Sequence, residues 1–366
     1  MKIQQVLTRV AAAIVFLTSG SHALSSEPIP VVATFSILGD MVKRVGGEDI
    51  EVTTLVGANG DTHVYQPTPA DARAVKEARL LFVNGLQFEG WLDRLVEAAS
   101  FDGETVVTTN GIDVITFDDD HDEHNDEEHG DKDHDGSDQD SKDQNGSEHG
   151  DKKHGDQDAD ADEHHDDDHN GNADEHADVH ADDDDHHDHG EFDPHGWQSL
   201  RNAVTYVDNI TAAFARAYPA KATTFYNNRA AYVAEIEKLD TDIQQLLSAL
   251  PENARTVITS HDAFQYFGRD YELTFLAPQG LSTESEASAK DVAGLIEQMR
   301  AEGIAAVFVE NISDPRLIKQ IANETGASIG GKLYPGALSD TDGPAASYLD
   351  MIRYNAENIA AALGGK

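Results

Sequence analysis

Apolar positions along this chain alternate between short runs and helical spacing. Residues 29–35, Ile-Pro-Val-Val-Ala-Thr-Phe, read as a buried strand. Shorter apolar runs follow at 52–56, 80–83 and 105–108. Between them, 37–45, 70–78 and 88–99 carry the spacing of helices with one apolar face. The punctuation agrees. Gly46-Gly47 ends the first helix as a C-cap, and Thr68-Pro69 opens the second with a capping hydroxyl and a proline in the first turn. Strands alternating with helices at this spacing predict a largely parallel sheet covered on both faces.

The second half repeats the pattern. One helix is predicted over 199–218, and Pro219 breaks it. The next spans 220–250, 31 residues, or about 46 Å at the rise of an α-helix. One small lobe does not need such a length, so this helix is expected to join two lobes; the alternative is two ordinary helices broken near Leu239. Beyond Pro251, strands at 256–259, 273–277, 304–310 and 328–333 alternate with helices at 263–271, 289–300, from Asp314-Pro315 to about 324, and 345–363. No internal sequence repeat relates the halves. The expected fold is α/β: two βα lobes with mostly parallel sheets, joined by a long backbone helix. The first lobe takes 24–117 and ends over 191–218, the linking helix takes 219–250, and the second lobe takes 251–366.

Composition sets two segments apart. Residues 1–23 read as a secretory leader, with Lys2 and Arg9 ahead of an apolar stretch and Ser21-His22-Ala23 as a small-x-small cleavage site. The alternative is an uncleaved anchor, but the apolar stretch falls short of the roughly 20 residues that span a bilayer. A periplasmic location follows. No cysteine is present, which excludes disulfides, thiolate metal ligands and lipid attachment at a cysteine. Residues 118–190 have almost no apolar side chains, and between Asp118 and His189 32 Asp and Glu stand against 4 Lys, a net of −28 out of −43 for the whole chain. Such a segment buries too little surface to offset the entropy of ordering and is expected to be a disordered insertion in the first lobe. No basic patch favours nucleic acid.

Fourteen of the 18 histidines lie in that insertion and one, His22, in the leader. Three remain for the folded parts: His63, His195 and His261. Each lies at a junction between elements, and His63 and His261 follow strands. Ligands of open α/β sheets bind outside the carboxyl ends of strands, and clefts between lobes are favoured positions. Taken singly, each histidine reads equally well as a hydrogen-bonded loop residue. Taken together they predict one metal site, and three neutral imidazoles suit a borderline-soft ion such as Zn²⁺. Asp193 and Asp262 are candidate partners that fix the imidazole tautomers, with helix N-caps as the other reading.

Five segments, in order, resemble the cluster A-I substrate-binding proteins of ABC metal importers, most closely the ZnuA-like periplasmic zinc-binding group. They are Asp61-Thr62-His63-Val64-Tyr65-Gln66-Pro67-Thr68-Pro69, Asn84-Gly85-Leu86 with Phe88-Glu89-Gly90-Trp91, Asp193-Pro194-His195-Gly196-Trp197, Ser260-His261-Asp262-Ala263-Phe264 with Tyr266-Phe267, and Phe308-Val309-Glu310-Asn311. The resemblance implies metal held between two lobes and delivery to a membrane permease driven by a cytoplasmic ATPase. It implies His63, His195 and His261 as the metal ligands. Manganese members usually carry Glu at the third position, so His261 favours zinc. The family often adds a fourth ligand, an Asp whose place here is taken by Gly336. Water or Asp340 can complete the tetrahedron, with Glu310 and Glu284 as weaker candidates. A monomer is expected, with a periplasmic zinc chaperone as a further candidate partner.

The insertion, with His164-His165, His186-His187, His189, His121 and His124, is expected to act as an auxiliary zinc-binding antenna; the alternative is a solvated spacer. Zinc members of the family commonly carry such a loop at this place. Two other functions compete with solute binding: a periplasmic zinc store or adhesin, and a zinc hydrolase. The hydrolase needs a general base, and no HExxH motif is present.

Overall fold

Ile29–Phe35 (β1) forms the centre of the first sheet, and Val31 to Phe35 are all buried, as a parallel strand covered on both faces requires. The computed structural model describes residues 28–116 and 192–364. The expected leader over 1–23 and the acidic insertion over 118–190 lie outside the described residues. The strands Ile50–Val56 (β2), Leu80–Val83 (β3) and Glu104–Val107 (β4) join β1 in the order β2-β1-β3-β4, every pairing parallel. The second sheet comprises Thr256–Ile258 (β5), Thr274–Leu276 (β6), Ala306–Glu310 (β7) and Ser328–Leu333 (β8), in the order β6-β5-β7-β8 and again all parallel. This is the expected α/β architecture of two βα lobes.

The helices are Ser36–Gly46 (α1), Pro69–Glu77 (α2), Leu92–Ala99 (α3), Leu200–Ala217 (α4), Ala222–Ser248 (α5), Gln265–Tyr271 (α6), Ala289–Glu302 (α7), Arg316–Thr325 (α8) and Tyr348–Leu363 (α9). Helix α5 is unbroken at Leu239 over its 27 residues, about 40 Å. Its inward face, Phe225, Tyr232, Ile236, Leu239, Ile243 and Leu247, is buried. It packs on α1 and α4 of the first lobe and on α9, the last helix of the chain. One hydrophobic cluster accordingly runs through both lobes, from Val31 and Phe82 to Phe264, Phe308 and Ile359. A smaller cluster, including Leu295, Met299, Val307 and Ile321, lies under α7 and α8.

One helix begins later than its periodicity predicts. Apolar spacing places the start at Phe88, but α3 starts at Leu92. Gly85, Leu86 and Gln87 all have positive φ, at 88°, 53° and 59°. These left-handed residues wrap the chain around the Glu89 carboxylate, which accepts the Asn84 N–H at 2.7 Å, the Gly85 N–H at 3.2 Å and the Thr34 hydroxyl at 2.6 Å. Satisfying a buried carboxylate outweighs one turn of helix.

Polar bonds lock the lobes together. Trp197 Nε1 and Gln198 Nε2 both donate to the Pro335 carbonyl, at 2.8 and 2.6 Å. The Tyr348 hydroxyl donates to the Trp197 carbonyl at 2.6 Å, while the Tyr348 N–H donates to Asp40 at 3.0 Å. Tyr266 reaches across to the Asp193 carbonyl at 2.8 Å.

Candidate metal centre

The three histidines outside residues 1–23 and 118–190 meet where the carboxyl ends of the two sheets face each other. Their ring centroids lie 5.5, 5.8 and 5.5 Å apart. One ring nitrogen from each falls within 4.8 Å of the others. Each arrives by a different route.

His63 lies in the loop between β2 and α2. Asp61 accepts the His63 N–H at 3.0 Å, and Trp91 Nε1 holds the neighbouring Thr62 carbonyl at 2.8 Å. Downstream, Thr68 and Asp71 form a reciprocal capping box that fixes where α2 begins. The edge of Phe88 packs on the His63 ring, centroids 4.9 Å apart. His63 is the partly exposed member of the trio.

His195 sits just before the short helical turn Gly196–Gln198 and is fully buried. Asn84, at the end of β3, donates to the Pro194 carbonyl at 2.8 Å and accepts from the Tyr206 hydroxyl at 2.6 Å, so a strand end sets the height of this turn. Asp193 Oδ1 receives both the His195 N–H, at 2.9 Å, and Nδ1, at 2.8 Å.

His261 follows β5 and is fully buried. Glu310, the last residue of the neighbouring strand β7, accepts the Ser260 and His261 N–H groups with Oε1, at 2.9 and 3.2 Å. Its Oε2 meets His261 Nδ1 at 2.6 Å and accepts the Ser313 hydroxyl at 2.8 Å.

Both carboxylates therefore sit at Nδ1 and leave Nε2 as the outward nitrogen. His261 Nε2 is buried with no hydrogen-bond partner among the described residues. His63 Nε2 and His195 Nε2 lie 3.4 Å apart. In a tetrahedral site with bonds of 2.0–2.1 Å, nitrogens lie about 3.4 Å from one another. The donor set is all imidazole nitrogen.

Burial, then the charge of the neighbouring imidazoles, pushes His63 well below the ordinary histidine range. Burial does the same to His195, reinforced by His261. Both rings are therefore neutral and able to donate a lone pair near neutral pH. His261 differs: burial pulls it down, but the charge and hydrogen bond of Glu310 outweigh that and hold it above the ordinary value. Glu310 is correspondingly lowered, burial being overcome by His261. Burial raises Asp193 to about 7 and Asp262 to about 6.

Among the carboxylates expected beside the site, Asp193 faces a histidine ring and Asp262 does not. The Asp262 side chain accepts from Gln265 Nε2 at 2.6 Å, and it caps no helix, since Phe264 stands at the start of α6. Glu310 takes the place expected for Asp262. The adjacency of β5 and β7 that brings it there is a feature of the fold, which the sequence does not signal locally. No fourth Asp, Glu or His among the described residues joins the three nitrogens. Asp340 is exposed and bonded to Asn59, Glu284 is exposed, and the Glu310 carboxylate is occupied by His261 and Ser313.

The family model for the periplasmic component A of the zinc-uptake complex matches residues 31–362. The iron ABC transporter substrate-binding lipoprotein MtsA of Streptococcus pyogenes serotype M1 is 24% identical over 352 residues, covering 94% of this chain and 92% of its own. The metal ABC transporter substrate-binding lipoprotein FimA of Streptococcus parasanguinis is 25% identical over 352 residues, covering 94% and 93%. Among solved structures, the Mn-bound periplasmic metal binding protein from Candidatus Liberibacter asiaticus aligns with a TM-score of 0.67 at 26% identity, covering 91% of this chain and 98% of that one. The periplasmic zinc binding protein TroA from Treponema pallidum shares the fold, with a TM-score of 0.70 at 22% identity over 92% and 99% of the two chains.

Proposed function

The chain belongs to the family of periplasmic components of zinc-uptake complexes, and from that premise we propose that it captures one zinc ion between its lobes through His63, His195 and His261. As a metal-binding component of an ABC transporter, it works with a membrane permease and an ATPase. Among the described residues, no helix is long and apolar enough to cross a membrane.

The observation that carries the zinc reading is the donor set. Three imidazole nitrogens converge with no carboxylate among them. Nitrogen donors suit zinc, whereas manganese favours oxygen and stands at the bottom of the general affinity order. Water is the fourth ligand in this reading. Asp193 and Glu310 are committed to imidazoles, which supports a holding site over a hydrolase that needs a free base.

The segment over 118–190 is the auxiliary arm of this proposal. Thr116 and Phe192, at its two ends, are bridged to each other, and His195 follows three residues on. The role proposed for its 14 histidines is to gather zinc for the three-histidine site. The uncleaved sequence carries a leader over 1–23, which places the mature protein in the periplasm. It acts as a monomer, and a zinc chaperone in the same compartment is a partner compatible with the arm.

Calorimetric titration of the chain lacking 118–189 tests the metal. Zinc should fill one tight site, and manganese should bind it much more weakly. Equal affinities would refute zinc selectivity; no tight site at all would shift the function to the arm and favour a store.

A further inference from the structure

The loop that presents His63 is fastened to the opposite lobe as well as to its own. Asn59, with φ of 56°, donates its N–H to the Leu338 carbonyl at 2.8 Å. Its side chain donates to Asp340 at 3.1 Å and accepts from Asn311 Nδ2 at 3.2 Å. Two residues on, Asp61 spans the cleft: Oδ2 accepts the Thr283 hydroxyl at 2.5 Å, while Oδ1 accepts the His63 N–H at 3.0 Å. Leu338, Asp340, Asn311 and Thr283 all belong to the second lobe. On its own side, the loop is held by Trp91 at Thr62, by Phe88 against the His63 ring and by Tyr65 against Trp91.

The three histidines are therefore positioned by different means. His195 and His261 are buried, each oriented by a carboxylate at Nδ1. His63 is partly exposed, and its backbone is set by a carboxylate that is itself anchored across the cleft. We propose that Asp61 and Thr283 form a clasp of positioning residues that sets how fast the metal leaves, by tying the His63 loop to the lobe that carries His261. Neither residue is one of the three converging histidines. Opening the Asp61–Thr283 bond releases the His63 end of the loop, while Asn59 stays tied to the second lobe, and so loosens one ligand and leaves the other two in place. The inference rests on the reading of His63 as a metal ligand.

The test uses the full chain loaded with one equivalent of zinc, followed as a chromogenic chelator captures the released ion. Thr283→Val removes the hydroxyl and keeps the shape; Thr283→Ser keeps the hydroxyl. Thr283→Val should release zinc about tenfold faster, Thr283→Ser should release it at the wild-type rate, and the melting temperature of the metal-free protein should move by about 2 °C or less. His63→Ala is the companion variant. Wild-type release from Thr283→Val with fast release from His63→Ala would overturn the clasp and leave the histidine site standing. Wild-type release from His63→Ala would overturn the site reading itself. Equal acceleration in Thr283→Val and Thr283→Ser, or a large fall in melting temperature, would assign Thr283 a merely structural role.

Discussion

Replacing His261 with Ala is expected to weaken the tight zinc site by a few hundredfold, measured by competition with a chelator of known affinity. Structural zinc sites with four ligands bind with about 10–16 kcal/mol, so one ligand of the set carries about 2.5–4 kcal/mol. The same change removes the imidazole that offsets the buried Glu310 carboxylate, leaving it the Ser260 and residue 261 N–H groups and the Ser313 hydroxyl. A loss of folding stability accompanies the loss of affinity, and a denaturation curve separates the two effects. Glu310→Gln keeps all three nitrogens but not the charge on Nδ1; its affinity should fall about 10–100-fold. Wild-type affinity in His261→Ala would place the metal elsewhere.

Replacing Trp197 with Ala should give the largest stability loss of any single change near the site, about 3–5 kcal/mol by urea denaturation. The side chain is fully buried. Its rings pack on Phe35 at 4.9 Å, Phe88 at 4.7 Å and His195 at 5.3 Å between centroids. Truncation opens a cavity under His195, and the Pro335 carbonyl keeps only Gln198 as donor. Because Phe88 also touches His63, zinc affinity should fall together with stability. A variant of unchanged stability would mean that Trp197 is not the keystone between the lobes.

The sequence was legible where local signals and burial agree. Apolar runs such as 29–35 mark parallel strands because both faces are covered, and Thr68-Pro69 marks a helix start because its capping chemistry is local. The three histidines could be singled out by elimination, and the structure brings them together. What was not legible depends on contacts between distant residues. Glu310 lies 49 positions from the imidazole it meets, and nothing local distinguishes it from Asp262, which is adjacent in sequence. The left-handed turn at 85–87 arises from a buried carboxylate, and apolar periodicity does not register it. Thr283 lies 222 positions from Asp61, so the bond across the cleft had no sequence signal at all.

X-ray absorption at the zinc edge, on protein lacking 118–189 and loaded with one equivalent, tests the histidine site most directly. The deletion joins ends already bridged at Thr116 and Phe192. Three imidazoles with Zn–N distances of about 2.0–2.1 Å and one further oxygen are expected. A shell of oxygen ligands with one imidazole or none would contradict the site.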